Sequence, residues 1–154
     1  MLLECSIRPA WDSDAGAISQ VIVSALRETN AKDYAPEIIA RLENLFSSAG
    51  VREFIRKQKV FVAVVRQQIV GTASLDGRTV RGFFVAPNAQ GMGIGSRLMA
   101  EVESAAREAK IRTLVLQSSV TAERFYVKLG FKALRDSYRG DERTIVMERD
   151  VTPA

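Results

Sequence analysis

The feature that most constrains the fold of this chain is the stretch of residues 85–99, in which a β-forming run ends in a glycine-rich loop that leads directly into an amphipathic helix. Glycine lets the backbone approach a ligand closely and adopt positive φ. The first amides of a helix are unpaired and lie at the positive end of its dipole. The sequence therefore predicts a junction that can hold a phosphate without a basic side chain.

The spacing of the loop residues distinguishes this junction from two common nucleotide-binding loops. The dinucleotide fingerprint G-x-G-x-x-G needs glycine where Ser96 stands and an acidic residue about 20 positions further on, and the β-forming run 112–117 ends without one. A P-loop of the form G-x-x-x-x-G-K-[ST] does not occur in the chain. The pattern that is present is Gln90-x-x-Gly93-x-Gly95.

Two further patterns flank this loop and make it more specific. Val85-Ala86-Pro87 comes before it, and a later helical segment ends in Phe125-Tyr126-x-x-Leu129-Gly130-Phe131. With these patterns in place, the chain resembles the GNAT N-acetyltransferase superfamily, in which a Q/R-x-x-G-x-G/A loop holds the pyrophosphate of acetyl-CoA. The resemblance is tightest over residues 60–149 and looser before them.

The periodicity of apolar residues predicts one domain over residues 1–150, followed by a loose tail at 151–154. Helices are expected after Asp14, from Pro36, as a short turn near Val51, after the glycine loop and around Tyr126. Strands are expected at residues 4–8, 60–65, 69–75, 79–85, 112–117, 131–138 and 143–149.

The connections between these segments predict how the strands pair. The runs from residue 60 to residue 85 are separated by residues 66–68 and by Asp76-Gly77, which favours an antiparallel meander. The strand after the glycine-loop helix should return parallel to the strand before the loop. We therefore predict an α/β fold: a mixed, largely antiparallel sheet of about seven strands with flanking helices and a central βαβ cofactor-binding unit. The resemblance implies the same number of strands.

Composition excludes several kinds of chemistry. The chain has no histidine and one cysteine, Cys5, so Ser-His-Asp and Cys-His catalysis are excluded and no metal site is expected. Cys5 lies in the first strand, where a small buried hydrophobe is the expectation. The net charge is +4 with no basic run, so we expect no nucleic-acid partner.

No apolar run approaches the ~18 residues of a membrane span, and residues 1–5 lack the order of a signal peptide. We therefore expect a cytoplasmic location and no membrane partner. Dimers are common among the proteins that this chain resembles, and the sequence leaves a homodimer open.

The resemblance implies acetyl-CoA as the cosubstrate and indicates which residues bind it. Loop amides would hold the pyrophosphate, Gln90 would order the turn, and the main chain of the strand before the loop would pair with the pantetheine arm where it splays from the run 112–117. An amide at Phe83 or Phe84 would lie near the acetyl carbonyl. The alternative is that the glycines only make a tight turn. The assigned residues are Phe83, Phe84, Val85, Gln90, Gly91, Met92, Gly93, Ile94, Gly95, Ser96 and Ser119.

Two further positions carry over from the family, and one of them departs from the family's pattern. Tyr126 matches the tyrosine that would protonate the departing thiolate, and the alternative is a packed aromatic with a satisfied hydroxyl. Ser119 stands where many relatives carry an asparagine that bonds the pantetheine arm, so this contact is weaker or replaced here.

The sequence offers several candidates for the residue that accepts the proton of the amine. Thr79 stands where some relatives place a glutamate, and a threonine cannot serve as a base. Asp76 is a candidate, although a turn-forming role fits it equally well. Glu28, Asp33 and Glu37 flank the connection that overhangs the acceptor site in relatives, and Tyr34 belongs to the same segment. A water relay that ends on one of these carboxylates is the preferred hypothesis.

Three functions follow from these observations. The first is an N-acetyltransferase that transfers acetyl from acetyl-CoA to a primary amine, on a small molecule or a peptide, by direct attack. The second is a non-catalytic acyl-CoA-binding or sensor domain of the same fold, and the third is an unrelated α/β nucleotide-binding module. Acceptor selectivity would lie in loops such as residues 27–34 and 139–143, where the sequence shows no pattern that identifies the amine.

Overall fold

The computed structural model describes residues 4–151, which form one seven-stranded sheet with helices on both faces. The strands are β1 (Cys5–Pro9), β2 (Lys59–Val65), β3 (Gln68–Asp76), β4 (Thr79–Val85), β5 (Thr113–Ser118), β6 (Lys132–Arg139) and β7 (Glu142–Asp150). The helices are α1 (Ala15–Glu28), α2 (Pro36–Leu45), α3 (Ser48–Lys57), α4 (Ile94–Glu108) and α5 (Glu123–Lys128). None of these helices combines the length and the apolar character that crossing a bilayer requires.

The strands lie in the order β1-β2-β3-β4-β5-β7-β6. Only β4 and β5 pair in parallel, and every other neighbouring pair is antiparallel. The chain passes from β4 through the glycine loop and α4 to β5, so the loop lies at the C-terminal end of a strand in a βαβ unit. The predicted fold class is therefore confirmed.

Both faces of the sheet are buried, as the sequence of β2 shows. Val60 and Val62 pack with α1 and α3 on one face, whereas Phe61 and Ala63 pack with α4 on the other. Successive strand residues point to opposite faces, so an unbroken apolar run is what a strand covered on both sides requires. The core therefore fixes α4, and with it the glycine loop, against the centre of the sheet.

Local details differ from the prediction at three places. The short turn expected near Val51 is a helix of ten residues, because Ser47 caps it by accepting a hydrogen bond from the amide of Gly50 at 3.2 Å. The loop of the second hairpin is Gly77-Arg78, while Asp76 still pairs with Thr79. Gly77 has φ +59°, which suits the first position of such a turn.

The third difference concerns the C-terminal end. We expected a loose tail from residue 151, but Val151 is buried and its amide donates to the Arg112 carbonyl at 2.8 Å. This apolar side chain joins the core cluster that contains α4, which explains its order. Residues 152–154 lie outside the described residues.

Candidate active site

The strands β4 and β5 separate soon after they meet. Their only parallel pair is Thr79 with Val115, next to a hydrogen bond from the Val115 amide to the Arg78 carbonyl at 3.0 Å. Beyond this pair, the side of β4 that faces β5 has no partner strand in residues 4–151. The second half of β4 therefore has main-chain groups on this side that no described strand pairs with.

A β-bulge in β4 accompanies this separation. Arg81 pairs with Ser74 and Phe84 pairs with Thr72, so Gly82 and Phe83 together lie opposite Ala73. Gly82 has φ +53°, a conformation that glycine adopts without strain. A bulge bends its strand and redirects the neighbouring groups. Our sequence analysis missed it, although a glycine inside a strand pattern is a signal of such an irregularity.

The glycine loop leaves the start of α4 open. The amides of Gly93, Ile94, Gly95 and Ser96 have no acceptor within residues 4–151, and the first amide of the helix that has one is Arg97, which donates to the Gly93 carbonyl at 3.2 Å. Gly93 has φ +77°, and a Cβ there would meet no atom within 4 Å. Unpaired amides at the positive end of a helix, here one of 15 residues, have the geometry with which proteins bind anions.

The other residues assigned to this loop have distinct surroundings. The Gln90 side chain donates to the Val85 carbonyl and to the Thr29 hydroxyl, each at 3.4 Å, so it links the loop to β4 and to the end of α1. Met92 is exposed, and the side chain of Ile94 is buried in the core. Gly91 has φ +81° with open space around it.

Glycine is required at position 95 for a different reason. A Cβ at this position would lie 2.6 Å from Cζ of Phe125, closer than such atoms come in real structures. Its backbone φ is not in the left-handed region, so the constraint is the close packing of α4 on the aromatic ring. Packing against Phe125 therefore accounts for Gly95, whereas Gly91 and Gly93 have the positive φ of a turn and border open space.

Tyr126 has a packed ring and a free hydroxyl. Its ring contacts those of Phe83, Phe125 and Phe131, with centroids 5.2 to 5.9 Å apart, and the residue is 7% exposed. The hydroxyl makes no hydrogen bond within residues 4–151, and no fully buried side-chain oxygen or nitrogen there lacks a partner, so this oxygen retains contact with solvent. Burial, and secondarily Tyr34, raises the pKa of Tyr126 above its ordinary value.

Ser119 caps the turn that precedes α5. Its hydroxyl oxygen accepts a hydrogen bond from the Ala122 amide at 3.3 Å, while the neighbouring Ser118 hydroxyl donates to the Ser119 carbonyl at 2.7 Å. The Ser119 side chain is half-buried. This local role explains why a short hydroxyl side chain fits the position.

The predicted proton acceptors and acceptor-site residues do not converge on one point. Asp33 accepts from the Thr121 hydroxyl at 2.6 Å and the Thr121 amide at 3.3 Å, which ties the α1–α2 connection to the β5–α5 connection. Asp76 pairs with Arg81 at 3.1 Å on an exposed surface. Glu28 borders a separate cavity of about 700 Å³ beside Pro87.

Tyr34 and Glu37 complete the predicted set. Tyr34 is half-buried, and burial, followed by Glu142 and Asp33, raises its pKa to about 12. Tyr34 in turn contributes to the raised pKa of Tyr126. Glu37 is exposed in the first turn of α2. Residues 4–151 contain no cluster of three side chains arranged to hold a metal ion.

A cavity that the sequence analysis did not identify opens where β4 and β5 diverge. Arg81 and Gln117, each two residues beyond the Thr79–Val115 pair, border it, and its volume is about 490 Å³. Arg41 and Glu142 form an ion pair that joins α2 to the start of β7 across this opening. The remaining lining residues are Leu42, Asn44, Leu45, Ser137, Arg139 and Thr144.

Comparison with known proteins places this geometry among acetyltransferases. Residues 30–147 match the family model described as an acetyltransferase (GNAT) domain. The chain is 25% identical over 129 residues to the uncharacterized N-acetyltransferase YafP of Escherichia coli (strain K12), covering 84% of this chain and 82% of that protein. It is 36% identical over 83 residues to the peptidyl-lysine N-acetyltransferase YjaB of the same organism, covering 53% and 55%.

A solved structure shares the whole fold. The PaiA N-acetyltransferase from Thermoplasma acidophilum, determined in complex with coenzyme A, superimposes with a TM-score of 0.83 at 20% sequence identity. The match covers 96% of this chain and 99% of that one.

Proposed function

This chain belongs to the GNAT acetyltransferase family, and we propose that it transfers an acetyl group from acetyl-CoA to a primary amine by direct attack. The observation that carries the proposal is the set of four unpaired amides, Gly93 to Ser96, beside the opening between β4 and β5. A cofactor that ends in a pyrophosphate and continues as an extended amide-containing arm matches both features. The coenzyme A complex of the PaiA relative supports this choice of cosubstrate.

In the proposed complex, two elements hold the cofactor. The pyrophosphate accepts hydrogen bonds from the loop amides, with Gln90 maintaining the shape of the loop. The pantetheine arm lies along the free side of β4 and pairs with the main chain between Phe83 and Val85. The bulge at Gly82 directs an amide of this segment at the thioester oxygen, where it stabilises the negative charge of the tetrahedral intermediate.

The transfer itself requires two proton movements. The amine nitrogen attacks the thioester carbon, and collapse of the intermediate breaks the carbon–sulfur bond and releases the thiolate of coenzyme A. Tyr126 gives its phenolic proton to this sulfur. A phenol of ordinary pKa ≈ 10 is protonated at neutral pH, and the raised pKa of Tyr126 extends that protonated form to more alkaline solution. Proton transfer must then be coupled to departure, because a thiol of pKa ≈ 8.5 is the stronger acid.

Water carries away the proton of the amine in this proposal. Asp33 is held by Thr121 and Asp76 by Arg81, and the predicted carboxylates do not converge on one point, so the proposal assigns this proton to no single carboxylate. Loss of a proton from an amine of pKa ≈ 10.4 at pH 7 costs about 4.6 kcal/mol, which a chain of waters can accommodate without a dedicated base.

Substitution of Gly93 tests the cofactor site. Gly93→Asp places a negative charge in the anion site, so we expect it to weaken coenzyme A binding at least 100-fold in calorimetry while the circular dichroism spectrum is retained. Gly93→Asn has nearly the same shape without the charge and should lose less. Gly77→Asp is the backbone control, because Gly77 also has positive φ and open space but lies in the β3–β4 turn.

Three results would overturn the proposal in different ways. A folded Gly93→Asp variant that binds coenzyme A as tightly as the parent would place the anion site elsewhere. Tighter binding of ATP or NAD than of coenzyme A would favour a nucleotide-binding module. Tight acetyl-CoA binding without thiol release on any amine of a broad panel would make the protein an acyl-CoA-binding sensor.

A further inference from the structure

The cavity at the divergence of β4 and β5 lies where an acceptor must enter. Arg81 and Gln117 border it directly beyond the last residue pair of the two strands, and α2 and the β6–β7 turn form its other walls. An amine in this cavity can reach a thioester held along β4. We call the space lined by these elements the acceptor cavity.

The charged residues of the acceptor cavity are three arginines and one glutamate. Arg41 is paired with that glutamate, Glu142, and Arg81 is paired with Asp76, which lies outside the lining. Arg139 has no carboxylate within ion-pair distance in residues 4–151, and it is exposed beside the cavity. The cavity therefore carries a guanidinium that forms no ion pair within the described residues.

This charge arrangement discriminates between acceptor classes. A purely cationic amine would meet net positive charge, and the one carboxylate of the cavity is already held by Arg41. A carboxylate on the acceptor would complement Arg139, because the planar guanidinium bonds carboxylates in a bidentate manner. Asn44, Gln117 and Thr144 add polar groups to the lining, and Leu42 and Leu45 add an apolar wall on α2.

On the basis of the proposed function, we infer that the acceptor is a small amine that also carries a carboxylate, as an amino acid does, and that Arg139 binds this carboxylate. The amine then faces the opening between β4 and β5, while apolar atoms of the acceptor contact α2. Arg139 is thus a specificity-determining residue, and it acts on substrate binding rather than on the proton transfers.

Matched acceptor pairs test the inference. Acetylation of L-leucine and of γ-aminobutyrate is compared with that of their carboxamides, with thiol release as the readout. At least one acid should exceed its amide about tenfold or more in kcat/KM, the effect of one charged hydrogen-bonded contact. The amine of leucinamide loses its proton more readily than that of leucine, so basicity alone would give the opposite preference.

Two variants show whether Arg139 is the cause. Arg139→Gln should remove the preference by raising KM for the acid, while kcat/KM for the amide changes much less. Arg143→Gln is the control: it makes the same change in the same hairpin, but Arg143 alternates with the cavity residues Glu142 and Thr144 and pairs with Asp136 on the other side. This variant should keep the preference.

The outcomes separate the inference from the proposed function. Acetylation of both amides as efficiently as of the acids, or a preference that survives Arg139→Gln, would overturn the inference and leave the acetyltransferase proposal intact. Acetyl-CoA binding without acetylation of any amine would overturn the proposed function, and the inference with it.

Discussion

Tyr126 combines a buried ring with a hydroxyl that no group in residues 4–151 engages. A fully buried hydroxyl needs a partner within the protein, since leaving it unpaired is costly, whereas a hydroxyl that reaches solvent can bond to water. The contact with solvent leaves this oxygen free to meet a ligand. Because burial raises the pKa of the phenol, the protonated form that an acid needs persists through the alkaline range.

We therefore predict that Tyr126→Phe lowers kcat about 10²- to 10⁴-fold, because it removes only the proton donor. Coenzyme A affinity and Tm should change little, since the ring packing stays and no hydrogen bond within the described chain is lost. Tyr138→Phe, at a residue 65% exposed, is the matched control and should behave as the parent does. Steady-state kinetics decides the matter: parental turnover by Tyr126→Phe would return this residue to a packing role.

The sequence could predict single residues where the signal lies in a short pattern of neighbouring residues. Gln90, Gly93 and Tyr126 belong to short patterns in which spacing carries the information, so their positions could be assigned without coordinates. Arg139 and Glu142 gave no such signal. Their position beside the cavity follows only from the fold. The ion pair between Arg41 and Glu142, for example, joins residues 101 positions apart in the chain.

At the scale of elements, α4 and α5 pack against each other through a glycine and a phenylalanine. Gly95 is the second residue of α4, and the ring of Phe125 occupies the space that a Cβ would need. This contact brings the glycine loop and the Tyr126 helix together, because Phe125 and Tyr126 are adjacent in α5. One packing interaction therefore positions the proposed anion site relative to the proposed acid.

We predict that Gly95→Ala destabilises the protein by about 1–3 kcal/mol, through overpacking against Phe125. The corresponding loss in Tm is about 2–10 °C. Gly16→Ala is a closely matched control, because Gly16 is also the second residue of a helix and its Cβ would lie 3.8 Å from the nearest side-chain atom. It should leave Tm unchanged or raise it, since alanine favours a helix.

Relief of the clash identifies its cause. Gly95→Ala combined with Phe125→Leu should recover part of the Tm that Gly95→Ala loses, relative to Phe125→Leu alone. Thermal unfolding followed by circular dichroism measures all four proteins. Additive losses in the double variant would mean that the glycine is required for another reason.

The elements themselves were more predictable than their junctions. Strand β4 begins and ends at the predicted residues, and the buried positions Ile18, Val21 and Leu26 follow the predicted face of α1, because one-sided burial imposes its period on the sequence. The bulge at Gly82 and the cap at Ser47 depend on single residues within those patterns. A prediction from periodicity averages over a whole element, so it does not detect a feature that depends on one residue.

At the scale of the whole molecule, the opening between β4 and β5 is covered by segments that belong to other parts of the chain. Asp33 holds the α1–α2 connection to Thr121, and Arg41 holds α2 to Glu142. Arg41 and Glu142 both line the acceptor cavity, so their ion pair brings together cavity segments that are far apart in sequence. The cavity could not be predicted because no local pattern encodes which loops meet over the sheet, whereas the cofactor loop lies within one βαβ unit.

The proposed mechanism assigns no carboxylate as the base, and this leads to a prediction for the pH dependence of the reaction. Only the neutral amine attacks, and each pH unit below its pKa lowers the reactive fraction tenfold, so kcat/KM should rise with pH towards the pKa of the acceptor amine. Tyr126 adds no alkaline limb below about pH 10, because its pKa lies above the ordinary value of a phenol.

No single carboxylate should be indispensable to the reaction. Asp76→Asn, Glu28→Gln, Asp33→Asn and Glu37→Gln should each retain a measurable fraction of activity, because water still carries the proton out. Asp33→Asn also loses part of its bond to Thr121, so it should raise KM more than it lowers kcat. The measurement is the pH profile of kcat/KM for the parent and the four variants. A variant that loses about 10³-fold, together with the acidic limb of the parent, would identify a general base and rule out the water relay.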